Sequence, residues 1–192
     1  MVTGEQTKGA RMVQAATLAM LDPKVVEFVA GPRRMLLNGA WVEAVSGKTF
    51  PVYDPSTEEV VAHVAEGDAQ DVERAVMAAR RAFDTGPWRK VTPSERGRML
   101  WRLADLLEAH LEEFAQLEAL DNGKPLKVAR VADVPLAVDM FRYMAGWATK
   151  IEGHTIPISV LPAPQANFFA YTRHEPIGVV AQIRLFGNSR DS

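Results

Sequence analysis

A short apolar run, Val179-Val180-Ala181-Gln182-Ile183, constrains this sequence more than any other feature. It follows Pro176 and Gly178, which punctuate the backbone, and an aromatic–polar alternation through Phe168, Phe169 and Tyr171 to His174 that suits a half-exposed strand. Such a run reads as a parallel-sheet strand buried on both faces, so it demands neighbouring strands and covering helices. In open α/β sheets, ligands sit beyond the carboxyl ends of strands of this kind. Chemistry is therefore expected after Ile183, where the sequence has Arg184-Leu-Phe-Gly-Asn-Ser-Arg-Asp-Ser192.

The remaining composition removes several function classes. With 192 residues the chain suits one domain or a domain and a half. A formal net charge of -2 supplies no basic footprint for nucleic acid or for an acidic membrane. No apolar run reaches the roughly 18 residues of a membrane span, and Glu5 with scattered polar residues argues against a signal peptide. There are 0 cysteines, which excludes disulfides, thiolate metal sites and a cysteine nucleophile, and fits a cytoplasmic location.

Residues 1–33 read as a variable arm, with short helices at Val13 to Met20 and Val25 to Ala30. Asn38-Gly39, between Arg34 and Val42, signals a two-residue hairpin turn, and Thr49 to Tyr53 with Glu59 to Val64 gives two further strands. Trp41 and Tyr53 read as core aromatics. Asp68 is a helix cap, and Val72, Ala75, Val76, Ala79 and Phe83 form a stripe expected to be buried. Thr92-Pro93-Ser94-Glu95 is a capping box opening a helix lined by Met99, Leu100, Leu103, Leu106 and Leu107. The next helix, Leu111 to Leu120, closes at Asp121-Asn122-Gly123-Lys124-Pro125, a left-handed glycine stop. Asp121 and Lys124 read as helix-end chemistry. A last helix from Val128 to Lys150 should be kinked or split by Pro135 and end before Gly153. Thr155 to Ile158 and Phe168 to His174 pair as a hairpin across a proline-rich link.

Candidate chemistry is sparse. His63, His110, His154 and His174 lack metal-ligand spacing, so no metal site is expected. No glycine cluster forms a phosphate loop. Glu108, Glu112, Glu113 and Glu118 read as a solvated helix face rather than paired acids. Arg173-His174-Glu175 reads as interface contacts rather than a charge relay.

Several stretches resemble one family in its own order. Leu-Asn-Gly-Ala-Trp41, Asp54-Pro-Ser-Thr, Val-Ala-Glu-Gly-Asp68, Leu-Asp-Asn-Gly-Lys-Pro125 and Tyr171-Thr-Arg-His-Glu-Pro-Ile-Gly-Val-Val-Ala-Gln-Ile183 resemble the N-terminal part of NAD(P)-dependent aldehyde dehydrogenases. The likeness runs from about Met35 to Ile183. In the family the last motif continues into Pro-Trp-Asn-Phe-Pro, which Arg184 to Asn188 does not match, so the sequence resembles a family segment truncated or frameshifted after Ile183. The resemblance implies an α/β fold, α+β in the part present, with small strands, a helical cluster and a projecting hairpin at 155–174. It divides the chain into the arm at 1–33, a family segment at 34–183 whose residues 177–183 are the first strand of the cofactor domain, and a non-family tail at 184–192. The rest of the Rossmann-like cofactor domain and the catalytic domain would be lacking.

What the family does follows from the same likeness. A Cys thiolate attacks the aldehyde, hydride passes to NAD or NADP, and a Glu-activated water releases the acid. Those groups lie beyond the matching segment, so the resemblance implies an inactive fragment with no catalytic residue and no cofactor bound by this chain alone. Only Ile183 matches a position lining the family's cofactor site, and Leu136 and Met140 match helix positions beside its substrate tunnel. Partners would be like subunits, as a homo-oligomer, or a full-length aldehyde dehydrogenase subunit. An association module docking onto such subunits is the alternative function.

Overall fold

A computed structural model describes residues 20–31, 33–161 and 165–183. The helix expected at Val13 to Met20 and the tail 184–192 lie essentially outside them. Helix α1, Pro23–Ala30, begins where the Asp22 carboxylate accepts the Lys24 amide at 2.8 Å and Pro23 supplies a preset first turn. The expectation of a peripheral arm fails here. Val25 is only 1% exposed, and the Asp22 amide donates to the Gln116 side chain at 2.7 Å, so α1 is clamped to a helix 94 residues away.

Three small antiparallel hairpins follow the local turn chemistry. Strands β1, Met35–Leu37, and β2, Ala40–Val42, are joined by Asn38 and Gly39 with φ of 52° and 79°, the left-handed pair that this turn requires. Strands β3, Thr49–Tyr53, and β4, Val60–Ala65, pair over their length, and Arg33 adds a parallel bridge beside Val64. Asp54 closes their turn from a buried position, its carboxylate accepting from the Ser56 amide at 2.8 Å and the Thr57 hydroxyl at 3.1 Å.

Helix α2, Ala69–Thr85, carries a reciprocal capping box between Asp68 and Asp71. A 3₁₀ turn, Pro87–Lys90, leads to α3, Pro93–Ala109, whose Thr92 amide donates to Glu95 at 2.8 Å. Helix α4, Leu111–Asn122, stops at Gly123 with φ of 73°. After the short turn α5, Leu126–Val128, the backbone widens into a π segment, Ala129–Asp133, before α6, Val134–Trp147. Proline lacks the amide hydrogen that an ordinary turn would use, so the disturbance expected at Pro135 is taken up just before it, and the helix continues. It ends near Trp147, short of Gly153.

Helices α3 and α6 lie in close contact. A Cβ at Gly97 would stand 2.9 Å from the Ala145 carbonyl oxygen, and Ala104 and Ala145 are buried at the crossing. A second apolar centre joins Ala115, Ala129 and Val134 with Leu107, Leu111 and Leu126. Small residues dominate this core, and the larger apolar ones lie at its edge or beyond it.

The glutamates expected to face solvent alone are instead cross-links. Glu108 accepts from Arg142, Glu112 from Arg130, Glu113 from Lys24 and Glu118 from Lys124. Hydrogen bonds from the Arg130 guanidinium, then from Gln116, hold the Glu112 carboxyl at about 2, below its ordinary 4.5. A folded value below the unfolded one adds stability above about 4.5 that is lost as pH falls toward 2. Both partners are more than two-fifths exposed, so solvent screening limits the effect to under about 1 kcal/mol. Glu112→Gln should therefore lower the urea midpoint slightly at neutral pH and flatten its decline in acid. Equal declines for the two proteins would remove this account.

Other expectations are corrected by burial. Trp41 and Tyr53 are more than half exposed, not core. Val72, Ala75, Val76 and Ala79 of α2 face outward, Phe83 is half-buried, and the helix buries Asp71 and Ala78 instead. On α3 the buried residue is Ala104, with Met99, Leu103 and Leu106 exposed. Periodicity identified apolar faces, but the α2 face is largely uncovered and only part of the α3 face, Leu100 and Leu107, is partly buried.

Candidate functional site

The run at 177–183 forms no strand in the structure, and Val180 and Ile183 are 70% and 90% exposed. A strand is defined by its pairing, and no described segment lies hydrogen-bonded alongside this one. It has no regular secondary structure, and Gly178 sits at φ 108°. The hairpin before it does form, but only as β5, Thr155–Ile156, and β6, Ala170–Tyr171. The Thr172 hydroxyl accepts the His154 amide at 2.9 Å, and the Thr172 amide donates to the His154 carbonyl at 2.8 Å. Phe169 and Tyr171, both exposed, have ring centroids 5.7 Å apart.

Leu136 and Met140 stand one turn apart on α6, and the structure leaves them 66% and 59% exposed. Tyr143 and Trp147 extend the same apolar face, their rings 6.2 Å apart. Ile183, Leu136 and Met140 are thus not gathered into an enclosed cavity. Among the described residues no three His, Asp or Glu side chains converge as metal ligands.

Lys124 acts as helix-end chemistry, bridging Glu118 at 3.0 Å and Asp133 at 2.7 Å, and so ties the end of α4 to the π segment. Asp121 does more than the sequence reading allowed. The residue is exposed overall, but partial desolvation of its carboxyl, reinforced by the negative charge of Glu118, raises its pKa above the ordinary aspartate value. It lines an apolar cavity of about 350 Å³ walled by Phe28, Val52, Phe114 and Leu120. The only signal for this was the position of Asp121 within the Leu-Asp-Asn-Gly-Lys-Pro stretch. Gln116, buried between α1 and α4, left no signal at all.

The chain is similar in sequence and in fold to known proteins. The chain is 55% identical over 169 residues to aldehyde dehydrogenase family 2 member B4, mitochondrial, of Arabidopsis thaliana, covering 88% of this chain and 30% of the plant protein. It is 48% identical over 169 residues to the mitochondrial benzaldehyde dehydrogenase of Antirrhinum majus, again covering 88% of this chain and 30% of the relative. The structure superposes on that of the NAD+ complex of aldehyde dehydrogenase from Bacillus cereus with a TM-score of 0.76 and 50% identity, over 82% of this chain and 31% of that one. The chain therefore spans about a third of the length of these relatives. Two of them being mitochondrial proteins, they lend no support to a cytoplasmic location. The family model described as the aldehyde dehydrogenase family matches residues 41–187, well over half of the sequence, and the chain belongs to that family.

Proposed function

We propose that these residues supply the N-terminal scaffold of an NAD(P)-dependent aldehyde dehydrogenase and carry out no oxidation by themselves. The carrying observation is the match at 41–187 combined with a sequence of 0 cysteines. Aldehyde oxidation in this family needs a thiolate to form the thiohemiacetal, and nothing here can provide one. The residues present do not fit a dinucleotide either. Ile183 is exposed, and among the described residues no glycine-rich turn leads from 177–183 into a helix whose amides could meet a pyrophosphate.

The scaffold reading assigns α3, α4 and α6 to holding apolar faces in place for a larger body, with Leu136 and Met140 on the face toward the substrate path. The β5–β6 hairpin, with exposed edges and aromatics, is assigned to contact with like subunits. Its support is the high identity to relatives about three times as long. The purified 192-residue chain is expected to give no aldehyde-dependent NAD+ or NADP+ reduction above a protein-free blank, and no saturable calorimetric isotherm with NAD+. Turnover that survives stringent purification would refute the reading, as would sub-millimolar NAD+ binding.

A further inference from the structure

The segment 173–178 runs beside the end of α2, the 3₁₀ turn and the first turn of α3, leaving a cleft of about 860 Å³. That volume falls within the roughly 300–1,000 Å³ typical of small-molecule sites. One part of the lining is apolar, with Trp88 and Ile151 both exposed rather than packed away. Another part is cationic, with Arg89, Arg96 and Arg173 opposed by a single carboxylate, Glu175.

These arginines are incompletely paired. Arg89 donates to the Asp84 carbonyl oxygen, and Arg96 to the Val91 carbonyl oxygen at 2.9 Å. Neither meets a carboxylate among the described residues. Arg173 has a long 3.7 Å contact with Glu175, both side chains being at least 70% exposed. A guanidinium carries five N–H donors in a planar fork. Anchoring one arm on a backbone carbonyl orients the fork and leaves donors for a second acceptor. Carboxylate and phosphate match that geometry best.

We propose that this cleft binds a small organic anion, a carboxylate or phosphate monoester on a flat apolar body. The anionic head sits among Arg89, Arg96 and Arg173, and the body lies against Trp88. None of Ile183, Leu136, Met140 or Asp121 lines it, so the site is separate from those described above. It does not depend on the scaffold reading.

Equilibrium dialysis of the full 192-residue chain against benzoate, phenyl phosphate and benzyl alcohol tests the assignment. The expected result is saturable binding of an anion, about one per chain, that weakens as salt is added, with benzyl alcohol retained poorly. Preference for benzoate identifies a carboxylate ligand, and the reverse preference a phosphate ester. Combining Arg89→Gln with Arg173→Gln should weaken binding about tenfold, the loss expected for charge-assisted hydrogen bonds. Both side chains are exposed, and far-UV circular dichroism checks that helix content is kept. Arg102→Gln, exposed on α3 and outside the cleft, should bind like the unaltered chain. Equal retention of benzyl alcohol, binding indifferent to salt or to the double substitution, or no saturable binding of either anion overturns the proposal.

Discussion

The purified 192-residue chain is expected to bind a hydrophobic dye strongly, associate as its concentration rises, and melt over a broad temperature range. The reason is the distribution of large apolar side chains. Val72, Val76 and Met77 stand outward on α2, Leu136, Met140 and Tyr143 on α6, and Ile177, Val180 and Ile183 on the segment 177–183. The most deeply buried positions are largely alanines and valines. Burying one large apolar side chain is worth roughly 1.5–3 kcal/mol. Leaving several uncovered therefore forfeits an amount comparable with a domain's whole net stability of about 5–15 kcal/mol. Such faces, and the unpaired edges of the β5–β6 hairpin, recruit other chains.

The location of these side chains sharpens the expectation. Deleting residues 177–192 should lower dye binding and association only in part, because α2 and α6 keep their exposed faces. Val76→Gln combined with Met140→Gln should reduce association further at little cost in stability, since neither side chain is buried. Sedimentation velocity across a concentration series, with dye fluorescence, reads both effects. A monodisperse monomer with a sharp two-state melt would sink the idea.

Signals confined to a few consecutive residues were legible in the sequence. Asn38-Gly39, the Thr92–Glu95 box and Gly123 each fix backbone geometry through their own chemistry, and each formed where expected. Family membership was legible for the same reason, through several short motifs in order. The two expected hairpins, β3–β4 and β5–β6, also paired, but several features needing a partner from elsewhere in the fold were misread. The stripe on α2 was apolar, as read, but periodicity names a face and not the surface that covers it. The run at 177–183 has strand composition, and composition cannot provide a neighbouring strand. The glutamates of α3 and α4 looked solvated because their cations lie at sequence separations from 6 to 89 residues, beyond any local pattern. Leu136, Met140 and Ile183 came from resemblance alone, and nothing described encloses them.

Asp71→Ala should be among the most destabilising single changes in the chain. Asp71 is only 3% exposed, and its carboxylate serves three groups at once. Both oxygens lie 3.2 Å from the Val45 amide, one accepts the Asp68 amide at 3.3 Å, and the other meets Arg74 at 3.1 Å. It thereby closes the capping box of α2 and fastens that helix to the loop after β2, beside buried Ala44. Truncation leaves the Val45 amide without its acceptor in a partly buried position and removes half of the cap. A lost cap costs about 1 kcal/mol, and an amide left without its acceptor on half-exposed Val45 costs toward the low end of about 1–3, so roughly 2 kcal/mol is expected. Asp71→Asn keeps one oxygen acceptor and the shape, so it should lose less than half as much. Val72→Ala, one residue along and exposed, should change little. Urea midpoints for the three variants, taken at low protein concentration to suppress association, order them. If Asp71→Ala shifts stability no more than Val72→Ala does, the carboxylate does not hold α2 to the strands.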